Sequence, residues 1–349
     1  MTRSERLQQA SGESALPCAP SCPDPSARGG VVHVIDAPHR TNRLRAHLPL
    51  AVTLALGCLA ASKPALGQEL EPKAYSASPV GAAFLVVAMT RSTGSVVTDP
   101  TLPVRDVDAT VYAPVAGMGY TFGLFGKLAL ASAMVPYSWG TVTGVVGENE
   151  RSVDRSGLAD MRAKLSVNFI GNPAMGARAF AKAPRKTIVG ASLTFTAPTG
   201  QYDGDKLINL GTNRWSFKPE VGVAVPLGRW ELDAYLGVWL FGDNTDFYPG
   251  DLTRSQDPTV SFQVHGSYTF RPRLWLAINA TGYRGGGYTA PGQQPGPDAR
   301  NSRIGATLAL PMARQQSLKL AYSSGMVVRT GTDFRTVSVA WQWLWLTRP

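Results

Sequence analysis

A strict alternation of apolar and polar side chains recurs along residues 128–345. In the segment Trp230–Phe241, every second residue from Trp230 to Leu240 is apolar, and Glu231 and Asp233 lie between them. Successive residues of a β-strand point to opposite faces of a sheet, so this period of two predicts strands between an apolar and a polar environment. A soluble sandwich exposes its polar face outward, whereas a membrane barrel encloses that face and turns its apolar face to lipid.

The connectors between the predicted strands alternate between short and long. The short ones are Gly123–Lys127, Pro226–Arg229, Arg271–Arg273 and Pro311–Ser317, and the long ones are Pro136–Gly157, Gly242–Pro258, Arg284–Asn301 and Gly325–Asp333. This is typical of outer-membrane barrels, which have short periplasmic turns and longer outside loops. The connector Gly171–Lys186 is long for a periplasmic turn.

We predict an all-β fold: a closed antiparallel transmembrane β-barrel of about twelve strands, with ten or fourteen as open alternatives. The predicted strands are Gly81–Met89, Asp108–Phe122, Leu128–Val135, Leu158–Ile170, Thr187–Ala197, Ser216–Val225, Trp230–Phe241, Thr259–Phe270, Leu274–Tyr283, Ser302–Leu310, Leu318–Ser324 and Phe334–Trp345. The first of these could instead be a short helix or a plug. An even strand count places the N- and C-termini together, and we predict that both are periplasmic.

No apolar stretch approaches the ~20 residues that a spanning helix requires, whereas tilted strands of ~9–11 residues cross the same thickness. Aromatic residues such as Trp215, Trp230 and Trp345 lie near predicted strand ends, where amphipathic rings favour the headgroup zone. The net charge is +10, but there is no run of Lys and Arg, so nucleic-acid binding is unsupported. We predict that the protein lies in the bacterial outer membrane.

The N-terminal part of the chain resembles an export signal. Residues 40–67 combine three arginines, the apolar core Leu48–Ala61 and the small residues of Ala65-Leu66-Gly67, so we predict a signal peptide there and a barrel domain over 68–349. Residues 1–39 show no periodicity, and we interpret them as a non-native or disordered extension. All three cysteines precede the predicted cleavage point, so the exported domain offers no thiolate.

Alternation assigns a set of polar side chains to the barrel interior, where they could line a solute path or simply neutralise one another. These predicted lumen residues are Asp160, Arg162, Lys164, Lys218, Glu220, Glu231, Asp233, Gln263, His265, Lys319 and Gln342. The connector Ala197–Trp215 combines two turn signals with polar residues that could gate the lumen or recognise a ligand, unless it is only a structured outside loop. Its candidate gating residues are Tyr202, Asp205, Asn209, Asn213, Arg214 and Trp215.

Catalysis is a rival interpretation, because His265 and Ser267 lie two apart on one strand, as in outer-membrane phospholipase barrels. Alternation turns both into the lumen, away from lipid, and no orienting Asn is evident on an adjacent strand. We therefore predict that the protein is not an enzyme. With one His and no Cys after the predicted cleavage point, we also predict no metal and no cofactor.

Several segments resemble those of a known family, the outer-membrane transporters described as "Putative MetA-pathway of phenol degradation". The matching segments are Val135–Gly140, Lys186–Asp203, Leu207–Val223, Gly228–Phe241, Ser267–Ala277, Ser302–Pro311 and Ser317–Gly325. The chain differs at its end, where Leu346-Thr347-Arg348-Pro349 replaces a final aromatic residue that serves as an assembly signal.

This resemblance implies passive uptake of small hydrophobic or aromatic compounds across the outer membrane. The alternatives are a structural or surface-binding barrel with a closed lumen and an outer-membrane acyl hydrolase. The partners that we expect are outer-membrane lipid and lipopolysaccharide, the barrel-assembly machinery and a small hydrophobic solute, with no nucleic acid.

Overall fold

The structure is a computed structural model, and it describes residues 70–97, 104–146, 148–206, 208–248, 250–292, 295–328 and 331–347. The predicted N-terminal extension, signal peptide and cleavage point lie outside the described residues. No helix within these ranges is long and apolar enough to cross a membrane.

The described ranges contain sixteen strands and one short helix. In chain order they are β1 (Ala82–Val97), β2 (Val104–Leu124), β3 (Lys127–Val146), β4 (Asn149–Leu158), β5 (Arg162–Pro173), α1 (Ala177–Phe180), β6 (Ile188–Thr196), β7 (Ser216–Leu227), β8 (Trp230–Phe241), β9 (Asn244–Phe247), β10 (Leu252–Gln256), β11 (Thr259–Arg271), β12 (Leu274–Gly285), β13 (Tyr288–Thr289), β14 (Ala299–Ala313), β15 (Gln316–Val327) and β16 (Gly331–Leu346).

Twelve of these strands form one closed antiparallel barrel, which confirms the predicted fold and strand count. Each strand pairs with the next along the chain, in the order β1, β2, β3, β5, β6, β7, β8, β11, β12, β14, β15 and β16. The barrel closes between β1 and β16, whose register runs from Ala82 opposite Leu346 to Val97 opposite Gly331. Closure leaves no barrel strand with an unpaired edge, as a hydrocarbon environment requires.

The polarity of the wall is the reverse of that of a water-soluble protein. On β8 the outward-facing Leu232 and Leu236 are 48% and 50% exposed, whereas the inward-facing Asp233 is only 1% exposed. The same pattern recurs on β11, where Phe262 is 51% exposed and His265 is fully buried. An apolar outer surface around the whole barrel is stable against lipid and not against water.

Two predicted connectors are wrong. The predicted long connector Gly325–Asp333 is short, because β15 extends to Val327 and β16 begins at Gly331. Residues Pro136–Gly157 do not form an irregular loop, because β3 continues to Val146 and pairs with β4 from Tyr137–Leu158 to Val146–Asn149. The predicted strand Leu158–Ile170 also starts too early. It is interrupted at residues 159–161, and β5 begins at Arg162. The first predicted strand is a strand and not a helix, and the long connector before β6 contains α1.

The short turns and both ends of the barrel lie on the same side. The backbone N–H of Thr347 donates to the carbonyl of Gly81 at 2.8 Å, so the last and first strands meet there. The turn between β2 and β3 lies at this side too, and its residues Phe125 and Gly126 both adopt positive φ, of 49° and 72°. Such a two-residue turn matches the twist of the flanking strands. That this side is periplasmic stays a prediction.

Candidate functional site

The chain before β1 enters the barrel and contacts its inner wall. Asn168 on β5 donates from Nδ2 to the carbonyl of Tyr75 at 3.3 Å. The N–H of Ala74 donates to the hydroxyl of Tyr235 on β8 at 3.1 Å. On the other side, Leu70 lies close to Gly305 on β14. We call residues 70–80 the plug, because they reach across the lumen from β5 to β14.

Tyr75 is the most deeply buried side chain of the plug, with 1% of its surface exposed. It lies against two wall glycines, since a Cβ added at Gly190 or Gly222 would lie 2.6 or 2.3 Å from its ring atoms. Its hydroxyl lies 3.0 Å from Ser192 Oγ and donates to Glu220 Oε1 at 3.2 Å. Only glycine at these two wall positions leaves room for the ring, so the wall is shaped to receive it.

Two ion pairs hold the plug on either side of Tyr75. Glu71 pairs with Lys164 on β5 at 2.8 Å, and Lys73 pairs with Glu231 on β8 at 2.8 Å. Glu231 also pairs with Arg185 from the connector before β6. These contacts are reversible and noncovalent. If the plug moves away, Glu71 and Lys73 lose their partners, whereas Glu231 keeps Arg185 and Lys164 keeps Glu220 at 3.9 Å.

The inner face places most of the predicted lumen residues where alternation assigned them. Those that are buried are Lys218, Glu220, Glu231, Asp233, Gln263 and His265, and those that are half-buried are Arg162, Lys164, Lys319 and Gln342. Lys218 and Glu220 pair at 2.6 Å, which is the neutralising arrangement that the sequence left open. That these residues line a solute path stays a prediction.

Several inner-face atoms have no hydrogen-bond partner among the described residues, and three of them lie on the neighbouring strands β8 and β11: Asp233 Oδ1, Gln263 Oε1 and His265 Nε2. A polar atom that is removed from solvent without a partner is destabilising by roughly 1–3 kcal/mol. The lumen is therefore suited to water or a polar group of a solute at this level.

A row of aromatic rings with cations over their faces follows the inner face of β8 into the neighbouring loops. Trp239 stacks with Phe241 at 6.4 Å between ring centroids, and the guanidinium of Arg162 lies 5.4 Å from the Trp239 ring. Arg214 lies 4.7 Å from the Phe241 ring. Arg254 lies 4.0 Å from the Tyr288 ring further along. Flat apolar faces and positive charge thus alternate from the inner face of β8 into the adjoining connectors.

Asp160 does not lie on a strand facing the lumen, and this corrects its predicted position. It falls in the break between β4 and β5, where it is 1% exposed. Its carboxylate accepts hydrogen bonds from the N–H of Gly200 at 2.9 Å, and from the N–H and hydroxyl of Thr212 at 2.8 and 2.6 Å. Asp160 therefore anchors the connector 197–215 to the rim.

The candidate gating residues of that connector bind mainly to loop atoms. Tyr202 donates to the carbonyl of Asp246 at 2.9 Å, and burial raises the pKa of its phenol, which stays neutral. Asn213 donates to Asn244 at 2.9 Å. Arg214 donates to Gln256, and burial, with a smaller effect of Arg254, lowers its pKa to about 10. Arg214 is therefore still cationic at neutral pH, and the connectors 197–215 and 242–258 form one cross-linked unit.

The other three candidate gating residues are less suited to that role. Asn209 closes a local turn, accepting from the N–H of Asp203 at 3.0 Å and donating to its carbonyl at 2.9 Å. Asp205 is exposed, and its N–H donates to the Asp203 carboxylate at 3.1 Å. Trp215 is 51% exposed and stacks on the outward-facing Phe217, so it lies on the outer face of the barrel.

His265 does have an orienting asparagine, contrary to the expectation from sequence. Asn279 lies directly opposite on β12, and its Oδ1 is 2.9 Å from His265 Nδ1. Ser267, however, donates to the backbone carbonyl of Glu231 at 3.4 Å, and both Ser267 and His265 are fully buried on the inner face. This arrangement gives a lipid no access to the hydroxyl.

The plug, Glu71, Lys73 and Tyr75 among them, was missed by sequence reasoning. Alternation reports which face a strand residue occupies, and it carries no information about a segment that lies inside the barrel. The composition of residues 70–80 was the one sequence signal that could have indicated the plug. Pro72 and Pro79 exclude a regular strand, and charged residues between them require partners.

A closed barrel with an apolar outer face and a charged, partly filled interior defines a transmembrane β-barrel of the bacterial outer membrane. The family described as "Putative MetA-pathway of phenol degradation" matches residues 90–343, and the chain belongs to this family. No curated protein matches the chain.

Solved structures that are similar to the chain include the following three. The COG4313 outer membrane channel from Pseudomonas putida F1 has a TM-score of 0.69 and 23% identity, covering 79% of this chain and all of that one. The transport unit of the Escherichia coli autotransporter AIDA-I has a TM-score of 0.49 and 9% identity, covering 85% and 99%. The β domain of the Bordetella autotransporter BrkA has a TM-score of 0.43 and 10% identity, covering 75% and 99%. The first of these shows the fold of the chain.

Proposed function

We propose that the protein is a passive outer-membrane channel for small hydrophobic or aromatic compounds, and that the plug closes it. The row of cation-flanked aromatic rings along the inner face of β8 carries this proposal. Membership of a family described by phenol degradation supports the same class of solute. The similar channel from Pseudomonas putida F1 supports the fold that such a function requires.

The inner row suits aromatic solutes for a physical reason. A planar ring that takes the place of a cation on the face of Trp239 or Phe241 gains contact area there, and Arg162 and Arg214 then lie close enough to stabilise a phenol hydroxyl or phenolate. A sugar of similar size offers no flat apolar face to these rings. The row therefore favours aromatic over saturated polar solutes.

The plug is the element that must move for passage. Its described contacts are the two ion pairs, the buried Tyr75 and single hydrogen bonds, whereas every barrel strand is paired with a neighbouring strand on both edges. Displacing the plug therefore costs far less free energy than separating two strands of the wall. The proposed channel uses no covalent chemistry, because neither His265 nor Ser267 is placed to reach a substrate ester.

The test is solute flux into proteoliposomes that contain the purified protein, with phenol and glycerol compared in parallel. Trp239→Ala is expected to lower the ratio of phenol to glycerol flux by roughly 2- to 30-fold, the range of about 0.5–2 kcal/mol for a cation–ring contact. Trp343→Ala is the matched control, since Trp343 is 40% exposed on the outer face. An unchanged ratio in Trp239→Ala contradicts the aromatic path.

The second candidate is a structural barrel with a closed lumen. The observation that favours it is the plug itself, which reaches across the lumen and leaves Tyr75 almost fully buried. The two functions differ in one result. A structural barrel conducts neither solute, either as the wild type or after Tyr75→Ala, whereas a plugged channel conducts more after that substitution.

A further inference from the structure

Two arginines face each other on the outer surface of the barrel. Arg284 on β12 and Arg300 on β14 occupy directly opposed register positions. Both side chains are exposed, and each shares the outward face of its strand with an exposed apolar residue, Ile278 on β12 and Ile304 on β14. Like charges directly opposite each other destabilise a strand pair.

Neither arginine has a hydrogen-bond or ion-pair partner within the ranges that the structure describes. Arg91 shows the contrast. It is another outward-facing arginine of the long-loop side, and its Nε donates to the hydroxyl of Tyr112 at 3.2 Å. The opposed pair therefore presents two adjacent positive charges with free donors, which is an arrangement suited to a phosphate.

An apolar trough leads away from this pair along β12. Its floor is Gly282 and Ala280, and a Cβ added at Gly282 would meet no atom within 4 Å. One side is formed by Phe262 on β11, which is 51% exposed, and the other by Ile304 on β14, which is 43% exposed. A hydrocarbon chain can lie in this trough with its head at the arginines.

We propose that this surface binds lipopolysaccharide, with a phosphate of its lipid A on Arg284 and Arg300 and an acyl chain in the trough. The occupant follows from charge complementarity and from position. The pair lies at the end of β12 that leads into the long connector before β14, which is the side predicted to face outward. The proposal rests on that predicted orientation and is independent of what the lumen conducts.

The test compares the effect of Arg284→Gln on the unfolding temperature without and with lipid A, because this effect is expected to change sign. Without lipid A, Arg284→Gln relieves the repulsion and is expected to raise the unfolding temperature of the detergent-solubilised protein. With bis-phosphorylated lipid A added, the wild type is expected to gain more than the variant, so that the order reverses. The double variant Arg284→Gln/Arg300→Gln is expected to retain roughly tenfold less lipid A in intact-complex mass spectrometry.

The matched control is Arg229→Gln/Arg271→Gln, which removes two exposed arginines at the short-turn side. It is expected to retain lipid A as the wild type does, and Arg284→Lys/Arg300→Lys is expected to retain an intermediate amount. Equal lipid A retention by the wild type and the double glutamine variant overturns the proposal. Two further results also overturn it. One is that the double glutamine variant loses bound phosphatidylglycerol and keeps its lipid A. The other is that millimolar inorganic phosphate displaces lipid A from the wild type, which indicates a site for free phosphate.

Discussion

Replacing Tyr75 by alanine is expected to free the plug without weakening the barrel wall. The substitution removes a ring that is 1% exposed, together with hydroxyl contacts to Ser192 and Glu220 at 3.0 and 3.2 Å. Truncation of a buried aromatic side chain costs about 3–5 kcal/mol. The lower figure shifts the ratio of docked to undocked plug by about 150-fold. An undocked state populated at about 0.1% would rise to roughly a tenth of molecules.

Single-channel recording in planar bilayers measures this population directly as the fraction of time spent in the higher-conductance state. Tyr75→Phe keeps the ring and loses only the hydroxyl, so about 1 kcal/mol and a roughly fivefold increase are expected. Tyr322→Ala is the matched control, because Tyr322 is 49% exposed on the outer face. If Tyr75→Ala spends the same fraction of time open as the wild type, the plug does not close the channel.

Three further substitutions test the lipid-facing wall, the loop anchor at Asp160 and the packing of Tyr75 against Gly222. Leu232→Arg places a charge on the lipid face and is expected to lower the unfolding free energy by about 2–4 kcal/mol in vesicles, and an unchanged urea midpoint would contradict a lipid-facing Leu232. Asp160→Ala removes the acceptor of three loop hydrogen bonds and is expected to cost about 2–4 kcal/mol locally. Limited proteolysis of the anchored loop measures this, and resistance equal to the wild type argues against the anchor. Gly222→Ala places a Cβ 2.3 Å from the Tyr75 ring and should raise conductance by displacing the plug. Gly282→Ala is the control and should leave conductance unchanged, because a Cβ there meets open space. Equal conductances of the two variants would contradict the packing of Tyr75 against Gly222.

The barrel could be predicted from the sequence because the bilayer imposes the pattern that was read. The strand Trp230–Phe241 agrees with β8 to the residue, since lipid on one face and a polar lumen on the other enforce alternation. The hairpin of β3 and β4 was missed because the bilayer does not impose this alternation on it. In its upper part, including Arg151 and Asp154 on β4, water reaches both faces, so the strands pair without a period of two.

Asn279 could have been placed from the sequence, and the plug could not. The predicted connector Arg271–Arg273 is symmetric about Pro272, and counting back from it places His265 opposite Asn279. The two residues hold that register in β11 and β12, which shifts only between Thr269 and Arg271. No comparable rule locates Tyr75. Its position depends on two glycines, Gly190 and Gly222, on different strands, and their common role is visible only when the ring lies between them.

The distribution of contacts limits how such a barrel can open. The wall is a closed ring of ladders in a medium that supplies no replacement hydrogen bonds, so separating any two strands exposes several backbone groups at several kcal/mol each. The plug lies in the polar interior, where water can solvate Lys73 and Glu231 as they part, and this lowers the cost of breaking their ion pair. Ion pairs that water can replace are sensitive to salt, whereas the packing of Tyr75 is not. In the channel that we propose, opening is therefore a motion of the plug alone, in which the ion pairs set its orientation and the buried ring sets its stability.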